Sequence, residues 1–455
     1  MKTEFIFKNK KIQSVGFFGF GRSNRALFEY LQAHYSGLTY VLRSDAPVLQ
    51  ELFSDARFGR NATGGIFEDV LFLSPSVRRD RPELQAASIR GTILSSDVEF
   101  FFEHKKIPTI AVTGSDGKST TVTMASLMLT DSLGSFPASA NIGVPMASLL
   151  DREGIVGTVA ELSSFQLMDF MPSARRALIT NVSENHLDWH KSFSEYVAAK
   201  ENVLARAEER VFNLDSKICL ALAKKYPVYA AYSTKLTHRE MKSLVYAENY
   251  FHIDCNKVYL SGEQFFDMTA LPSLEAHNLK NFLSAIALCH GLVSKRSITR
   301  AAEAFRPLAH RRELVFTHGG ISFYDSSIDS TPTRTRTTLS SFSAPTVLIL
   351  GGRSKSVSYS GLFPLPKAVK AIVLTGENKG EIQKALFTNP AFISGKIPVY
   401  YAEPFSEAVI KAASLAKAGD AVLLSPASTS FDCFNDYAER GNAFSDIIKK
   451  YYSAD

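Results

Sequence analysis

The stretch "TIAVTGSDGKSTTV", Thr109 to Val122, decides how the chain is read. Five β-type residues run into the turn Gly114-Ser115-Asp116-Gly117, and a helical pattern follows without a gap. A strand that passes directly into a helix leaves backbone N–H groups pointing outward at the helix start. Those groups and the helix dipole favour a phosphate. Lys118 is placed to reach β- and γ-phosphates, and the hydroxyl of Ser119 or Thr120 to face a magnesium ion. The full phosphate-loop pattern carries another glycine five positions before the Gly-Lys pair. Val112 stands there, so this loop is a shortened version.

The same alternation of strand and helix extends in both directions. Upstream lie "SVGFFGF", a helical "SNRALFEYLQAH", "LTYVLRSD" and "DVLFLSP". Downstream come "GTVAELSS", "RALITNVS", the helical "FSEYVAAKENVLARA", short strands around Tyr250 to Leu260, and the helical "AHNLKNFLSAIALCHGLV". A new series begins near Pro307: "ISFYDSS", "TVLILGG", "AIVLTG", "IPVYYA" and "AVLLSP". Such alternation marks parallel sheets with helical crossovers. The expectation is an α/β protein of three domains: a Rossmann-like N-terminal domain over 1–97, a central P-loop ATPase-type domain over 98–307, and a C-terminal Rossmann-like domain over 308–455.

Composition narrows the function. The chain has 455 residues and a formal net charge of +6, with 45% hydrophobic and 21% charged residues. Basic and acidic residues are interspersed, which argues against nucleic acid as a partner. No apolar run is long enough to span a bilayer, and "MKTEFIFKNKK" lacks the apolar core of a signal peptide. A cytoplasmic, monomeric protein is expected. Cys219, Cys255, Cys289 and Cys433 form no CxxC pair, which points to buried free thiols rather than a zinc site or disulfides.

Further chemistry gathers after the glycine turn. Glu161 closes the strand of "ELSSFQL", and "NVSENHLDWH" brings His186 and Asp188 after the next one. Lys200 lies on the helix of "YVAAK". Singly these read as a strand-end acid, a loop histidine and a solvated lysine. The carboxyl ends of neighbouring parallel strands share one crevice, however. A carboxylate and an imidazole beside nucleotide phosphates suit magnesium.

With "TGSDGKST", "ELSSFQL", "NVSENHLDWH", "YVAAK", "AHNLKN", "AHRRE", "GGRSK" and "LLSPASTSFDCF" in this order, the chain resembles the Mur ligase family of ATP-dependent amide-bond formers over nearly its whole length. "ELSSFQL" points to the D-glutamate-adding branch. The resemblance implies that Gly114, Ser115, Asp116, Gly117, Lys118, Ser119 and Thr120 bind the ATP phosphates. Asn278 and Asn281 would lie on the adenine side, and Arg311 would reach the phosphates from the third domain. Ser119, Glu161, His186 and Lys200 would hold magnesium, Lys200 as a carbamate made with carbon dioxide. Asn141, Ser163 and Gln166 would face UDP-N-acetylmuramoyl-L-alanine, and Lys355, Ser430 and Phe431 the D-glutamate. Its uridine diphosphate would sit on the first domain, at the "GFGRSN" turn with Ser23 and Asn24, and beside Arg43 and Ser44.

Two departures matter. Asp116 stands where the family's loop commonly has asparagine, and an acid there repels phosphate unless it points away or binds metal. "YDSSIDSTPTRT" (Tyr324 to Thr335) replaces the usual Asp-Ser-Lys-Ala-Thr string. Aligned on "PTRT", it puts Ser326 in the acid's place, with Asp325 one position early and Asp329 just beyond. This leaves open a related ligase adding another amino acid, or a nucleotide-binding protein without catalysis. A nicotinamide-dependent oxidoreductase built on "GFFGFGRSN" would leave Lys118 unexplained.

Overall fold

A computed structural model of the chain describes residues 4–43, 65–187, 189–268, 276–305, 309–354 and 358–453, with the backbone of the strand Ala56–Gly59. It divides into two compact units, Met1–Phe305 and Arg306–Asp455. No helix among the described residues is long and apolar enough to cross a membrane.

The first unit contains two large sheets. One has five parallel strands in the order Ala56–Gly59, Thr39–Arg43, Ser14–Phe18, Val70–Leu73, Ile93–Ser95. Side chains alternate along a strand, so Val15 and Phe17 pack with Leu27, Phe28 and Leu31 of the helix Arg22–His34, while Phe18, Leu71 and Leu73 pack with Leu84 and Ala87. A small hairpin, Phe5–Phe7 with Lys10–Ile12, precedes this sheet.

The second sheet has nine strands. Its order is Glu263–Asp267, Lys257–Leu260, Asn249–Asp254, Ala230–Ser233, Glu209–Asn213, Arg176–Ile179, Thr109–Thr113, Thr158–Glu161, Ala138–Ala140. Only the pairings that involve Lys257–Leu260 are antiparallel. The strand of the glycine turn lies third from one edge and is buried on both faces, as parallel strands are. Ile110 and Val112 face the core shared with the helices Lys118–Leu133 and Ala276–Cys289. Ala111 faces the core containing Val203 and Leu204 of the helix Phe193–Ala205. The helix Asp97–His104 falls where the sequence suggests a boundary. Phe100 enters the core of the five-stranded sheet, whereas Val98 and Phe101 enter that of the nine-stranded sheet.

The second unit holds a six-stranded sheet in the order Glu313–His318, Ile321–Asp325, Ala421–Leu424, Thr346–Gly351, Val369–Thr375, Val399–Tyr401. All pairs are parallel except the first. Val347 and Ile349 pack against Ala408, Val409 and Ala412 on one face, and Leu348 and Leu350 against Leu362 and Leu386 on the other. The α/β class expected from the sequence is therefore the class observed. The expectation for the cysteines holds only in part. All four are free, but Cys255 and Cys433 are exposed and only Cys219 and Cys289 are buried.

Candidate active site

The neighbouring strands Arg176–Ile179, Thr109–Thr113 and Thr158–Glu161 bring their carboxyl ends level, with Glu161 opposite Val112 and Ile179 opposite Thr113. The glycine turn lies in this crevice. Gly114 has φ +149° and Gly117 has φ +78°, in the region that favours glycine. A side chain at Gly114 would collide with Thr180 Oγ1, and one at Gly117 with Asn281 Oδ1.

The turn is pinned by its neighbours. Asn181 takes both main-chain groups of one residue: its Oδ1 accepts from Asp116 N at 3.0 Å, and its Nδ2 donates to Asp116 O at 2.9 Å. Thr180 Oγ1 donates to the same carbonyl at 2.6 Å. Ser115 Oγ donates to Ser183 O at 3.0 Å and lies 3.0 Å from Tyr196 Oη. These bonds hold the backbone while the Asp116 side chain is exposed. Its charge still acts on the buried Lys200, so the acid stays close to the crevice.

Lys118 opens the helix. Its Nζ donates to Gly114 O at 2.8 Å and Ser115 O at 2.9 Å. No side chain caps the helix start at Gly117. Ser119 and Thr120 follow in the same turn, Thr120 buried and Ser119 half-buried.

Glu161 is buried at the end of its strand. Asn141 Nδ2 donates to its Oε1 at 2.8 Å, and Asn141 N to its main-chain oxygen at 3.1 Å. Glu161 Oε2 is buried with no hydrogen-bond partner among the described residues. A carboxylate oxygen left bare in a low-dielectric site is costly unless something binds it. Lys200 is 2% exposed. Its Nζ donates to Gly114 O at 2.8 Å and lies 4.6 Å from the centre of the Tyr196 ring. Burial, then the positive charge of Lys118, hold its pKa well below the usual lysine range, while Glu161 and Asp116 pull the other way. Lys118, Glu161 and Lys200 therefore meet around one turn. His186 sits on an exposed loop at φ +55°, with its ring centre 6.4 Å from that of Tyr196.

A cleft of about 200 Å³ brings Ser23, Asn24, Asn141 and Gln166 together. Asn24 Nδ2 donates to Gly19 O at 2.7 Å and Phe72 O at 3.3 Å, bracing the "GFGRSN" turn from within. Ser163 and Gln166 close a capping box on the short helix Ser164–Leu167. Arg43 is buried, and its guanidinium donates to Glu68 Oε1 at 2.6 Å and Gly65 O at 3.2 Å. Ser44 and Lys355 lie outside the described residues, as does Asp188. Asn278 is buried and Asn281 lies against Gly117.

In the second unit Arg311 is half-buried, Ser430 buried and Phe431 exposed. In the unusual segment both acids are engaged by neighbouring side chains. Asp325 is buried, accepting from His310 Nδ1 at 2.6 Å and Ser327 N at 2.7 Å. That bond raises the His310 pKa. Asp329 accepts from Thr338 Oγ1 at 2.7 Å and Ser425 Oγ at 2.8 Å. Ser326, in the acid's place, accepts from Arg312 N at 3.2 Å. Arg440, to which the sequence reading gave no role, is buried beneath this segment. It donates to Ser327 Oγ and Thr429 O, both at 2.9 Å, and burial lowers its pKa to about 10. Asn181, Thr180 and Tyr196 also carried no sequence-based role. For Thr180 and Asn181 the one available signal is a run of polar residues just past a buried strand, whereas Tyr196 lies inside the helix Phe193–Ala205.

A family model described as the Mur ligase middle domain matches residues 112–289. A UDP-N-acetylmuramoylalanine–D-glutamate ligase of Acetivibrio thermocellus is 36% identical over 460 residues, covering 97% of this chain and 96% of that protein. One of Ruminiclostridium cellulolyticum is 32% identical over 471 residues, 98% of each. Among solved structures, a UDP-N-acetylmuramate–alanine ligase from Thermotoga maritima superposes with a TM-score of 0.62 at 19% identity, covering 98% of this chain and all of that one. A pseudomurein peptide ligase type C from Methanothermus fervidus gives 0.59 at 16%, with coverage of 96% and 100%. At such identities the solved structures bear on the fold alone.

Proposed function

The chain belongs to the Mur ligase family, among the UDP-N-acetylmuramoylalanine–D-glutamate ligases, and we propose on that premise that it joins D-glutamate to UDP-N-acetylmuramoyl-L-alanine at the expense of ATP, in peptidoglycan precursor synthesis. The observation that carries this reading is the meeting of Lys118, Lys200 and the bare oxygen of Glu161 around a phosphate loop already held in shape.

The chemistry has two steps. The free carboxylate of the muramoyl-alanine attacks the γ-phosphorus of ATP, and ADP leaves. The amine of D-glutamate then attacks the carbonyl carbon of the acyl phosphate, inorganic phosphate leaves, and the nitrogen gives up a proton. The protein's task is to position these groups and offset negative charge. Lys118 would exchange its two carbonyl partners for phosphate oxygens, and Arg311 would add a second cation. The turn is already ordered: Ser115 N and Asp116 N donate to Asn181, so phosphate would meet the N–H groups at the start of the helix that follows.

Ser119, Glu161, His186 and Lys200 are the residues that would hold magnesium. The bare, buried Glu161 oxygen fits a hard cation. Magnesium, when bound, would neutralise phosphate charge. A cationic Lys200 would oppose it. With its pKa depressed, the amine is available in neutral form to add carbon dioxide, losing one proton and becoming a carbamate anion with two oxygen donors. Asn278 and Asn281 would lie on the adenine side. Residues 1–97, with Ser23, Asn24, Arg43 and Ser44, would hold the uridine diphosphate. Asn141, Ser163 and Gln166 would face the muramoyl part. Residues 308–455, with Lys355, Ser430 and Phe431, would take the amino acid, and the protein would act as a cytoplasmic monomer.

The reading is tested by supplying ATP, magnesium and UDP-N-acetylmuramoyl-L-alanine with a panel of amino acids and measuring phosphate release. D-Glutamate is expected to give turnover at least about tenfold above any other acceptor, a discrimination near 1.4 kcal/mol. Equal rates with several amino acids would reject the assigned acceptor.

A further inference from the structure

His190, at the end of the "NVSENHLDWH" turn, has no place in the reaction above, yet its side chain is completely buried. Its Nε2 lies 3.0 Å from Ser164 Oγ. Its Nδ1 faces Glu195 Oε2 at 3.6 Å, beyond hydrogen-bond range. Glu195 is fixed in turn by Arg78, whose guanidinium donates to both carboxylate oxygens at 3.0 Å, and by Lys191 N at 2.7 Å. Arg78 stands on the loop after the Val70–Leu73 strand, in the five-stranded sheet. It also donates to Trp189 O at 2.9 Å, and Trp189 Nε1 donates back to Ser76 O at 2.8 Å.

A line of contacts therefore runs Arg78–Glu195–His190–Ser164, from one sheet's loop into the turn of "ELSSFQL". With the carboxylate on the Nδ1 side, the proton belongs on Nδ1. Nε2 then accepts from the Ser164 hydroxyl. Burial, opposed by Glu195 and reinforced by Arg78 and Lys200, lowers the pKa of the imidazole and keeps it neutral. The order serine, histidine, acid looks like a nucleophile with its base. Ser164 is 3% exposed and the imidazole not at all, so no acyl group can approach. What the line can do is hold. Phe165 stacks on His190 with ring centres 5.7 Å apart, and Tyr196, which reaches Ser115 of the phosphate loop, packs edge-on at 5.1 Å.

We propose that His190 is a positioning residue: by accepting from Ser164 it sets the first turn of the Ser164–Leu167 helix, and with it the presentation of Ser163 and Gln166 to the muramoyl substrate. This rests on the reading that Ser163 and Gln166 face that substrate. Trp189 is the only tryptophan in the chain, so its emission reports on this spot. In the full-length protein, titration with UDP-N-acetylmuramoyl-L-alanine is expected to change that emission. For H190Q the Kd, and the KM for this substrate, should rise about tenfold, with kcat and the KM for ATP changed less than about twofold. S164A should weaken binding by a similar factor, and S164A added to H190Q should weaken it no further. Unchanged affinity in H190Q, equal changes in both KM values, or additive effects would overturn the proposal. If H190Q fails to melt cooperatively, S164A alone decides, and unchanged affinity there overturns it. A wild-type protein that neither binds nor consumes this substrate would instead overturn the functional reading beneath it.

Discussion

Replacing Lys118 by alanine is expected to lower kcat by at least about a thousandfold, near 4 kcal/mol of transition-state stabilisation. The amine is pre-ordered, held at 2.8 and 2.9 Å by Gly114 O and Ser115 O, so it meets phosphate without a search. Its loss acts twice. It removes a cation from the phosphates, and it also removes the charge that helps depress the pKa of Lys200. The Lys200 amine then becomes more easily protonated and less ready to take up carbon dioxide. The fold has little stake in the residue, because alanine is an excellent helix former at the first helical position. A thermal midpoint within a few degrees of wild type, together with the loss of rate, is the expected pair of results. K118R should recover little, since the guanidinium is larger, flat and differently directed. Substantial activity in K118A would mean that the loop does not act on phosphate.

Replacing Lys200 by alanine is the second large effect, also expected at about a thousandfold or more in kcat. A buried lysine with its pKa pushed far down is a poor salt-bridge partner and a poor phosphate ligand. Those same properties suit an amine that must react with carbon dioxide. The truncated side chain leaves room beside Gly114 O, and small carboxylic acids added at millimolar levels should return part of the rate by standing in for the carbamate. Wild-type activity should fall in buffer stripped of carbon dioxide and return with bicarbonate. A fully active K200A enzyme would remove the carbamate from the account.

Much of this was visible in the chain itself, where signals are local. The strand Thr109–Thr113 and the helix Lys118–Leu133 declare themselves because an unbroken β-type run, two glycines and a lysine lie within ten residues. The pairings that finish the site are not local. Asn181 clamps Asp116 from 65 residues away, and Arg78 reaches Glu195 across 117. Neither pairing leaves a periodic trace. The edge strand Ala138–Ala140 is three small residues long and carries little β signal. Arg43 reads as a loop cation until Glu68, 25 residues on, is brought to it by the chain entering the Val70–Leu73 strand, two places along the sheet. Asp325 and Asp329 could be seen, but not their burial. Their hydroxyl and imidazole partners come from His310, Thr338 and Ser425, so the acids hold a loop together.

The central claim is that ATP activates the substrate's own carboxylate as an acyl phosphate, and isotope labelling tests it most directly. UDP-N-acetylmuramoyl-L-alanine labelled with ¹⁸O in its free carboxylate is turned over with ATP, magnesium and D-glutamate, and the released inorganic phosphate is weighed by mass spectrometry. The account predicts one ¹⁸O atom in each phosphate formed from fully labelled substrate. Phosphate carrying no label, with product formed at the normal rate, would contradict it.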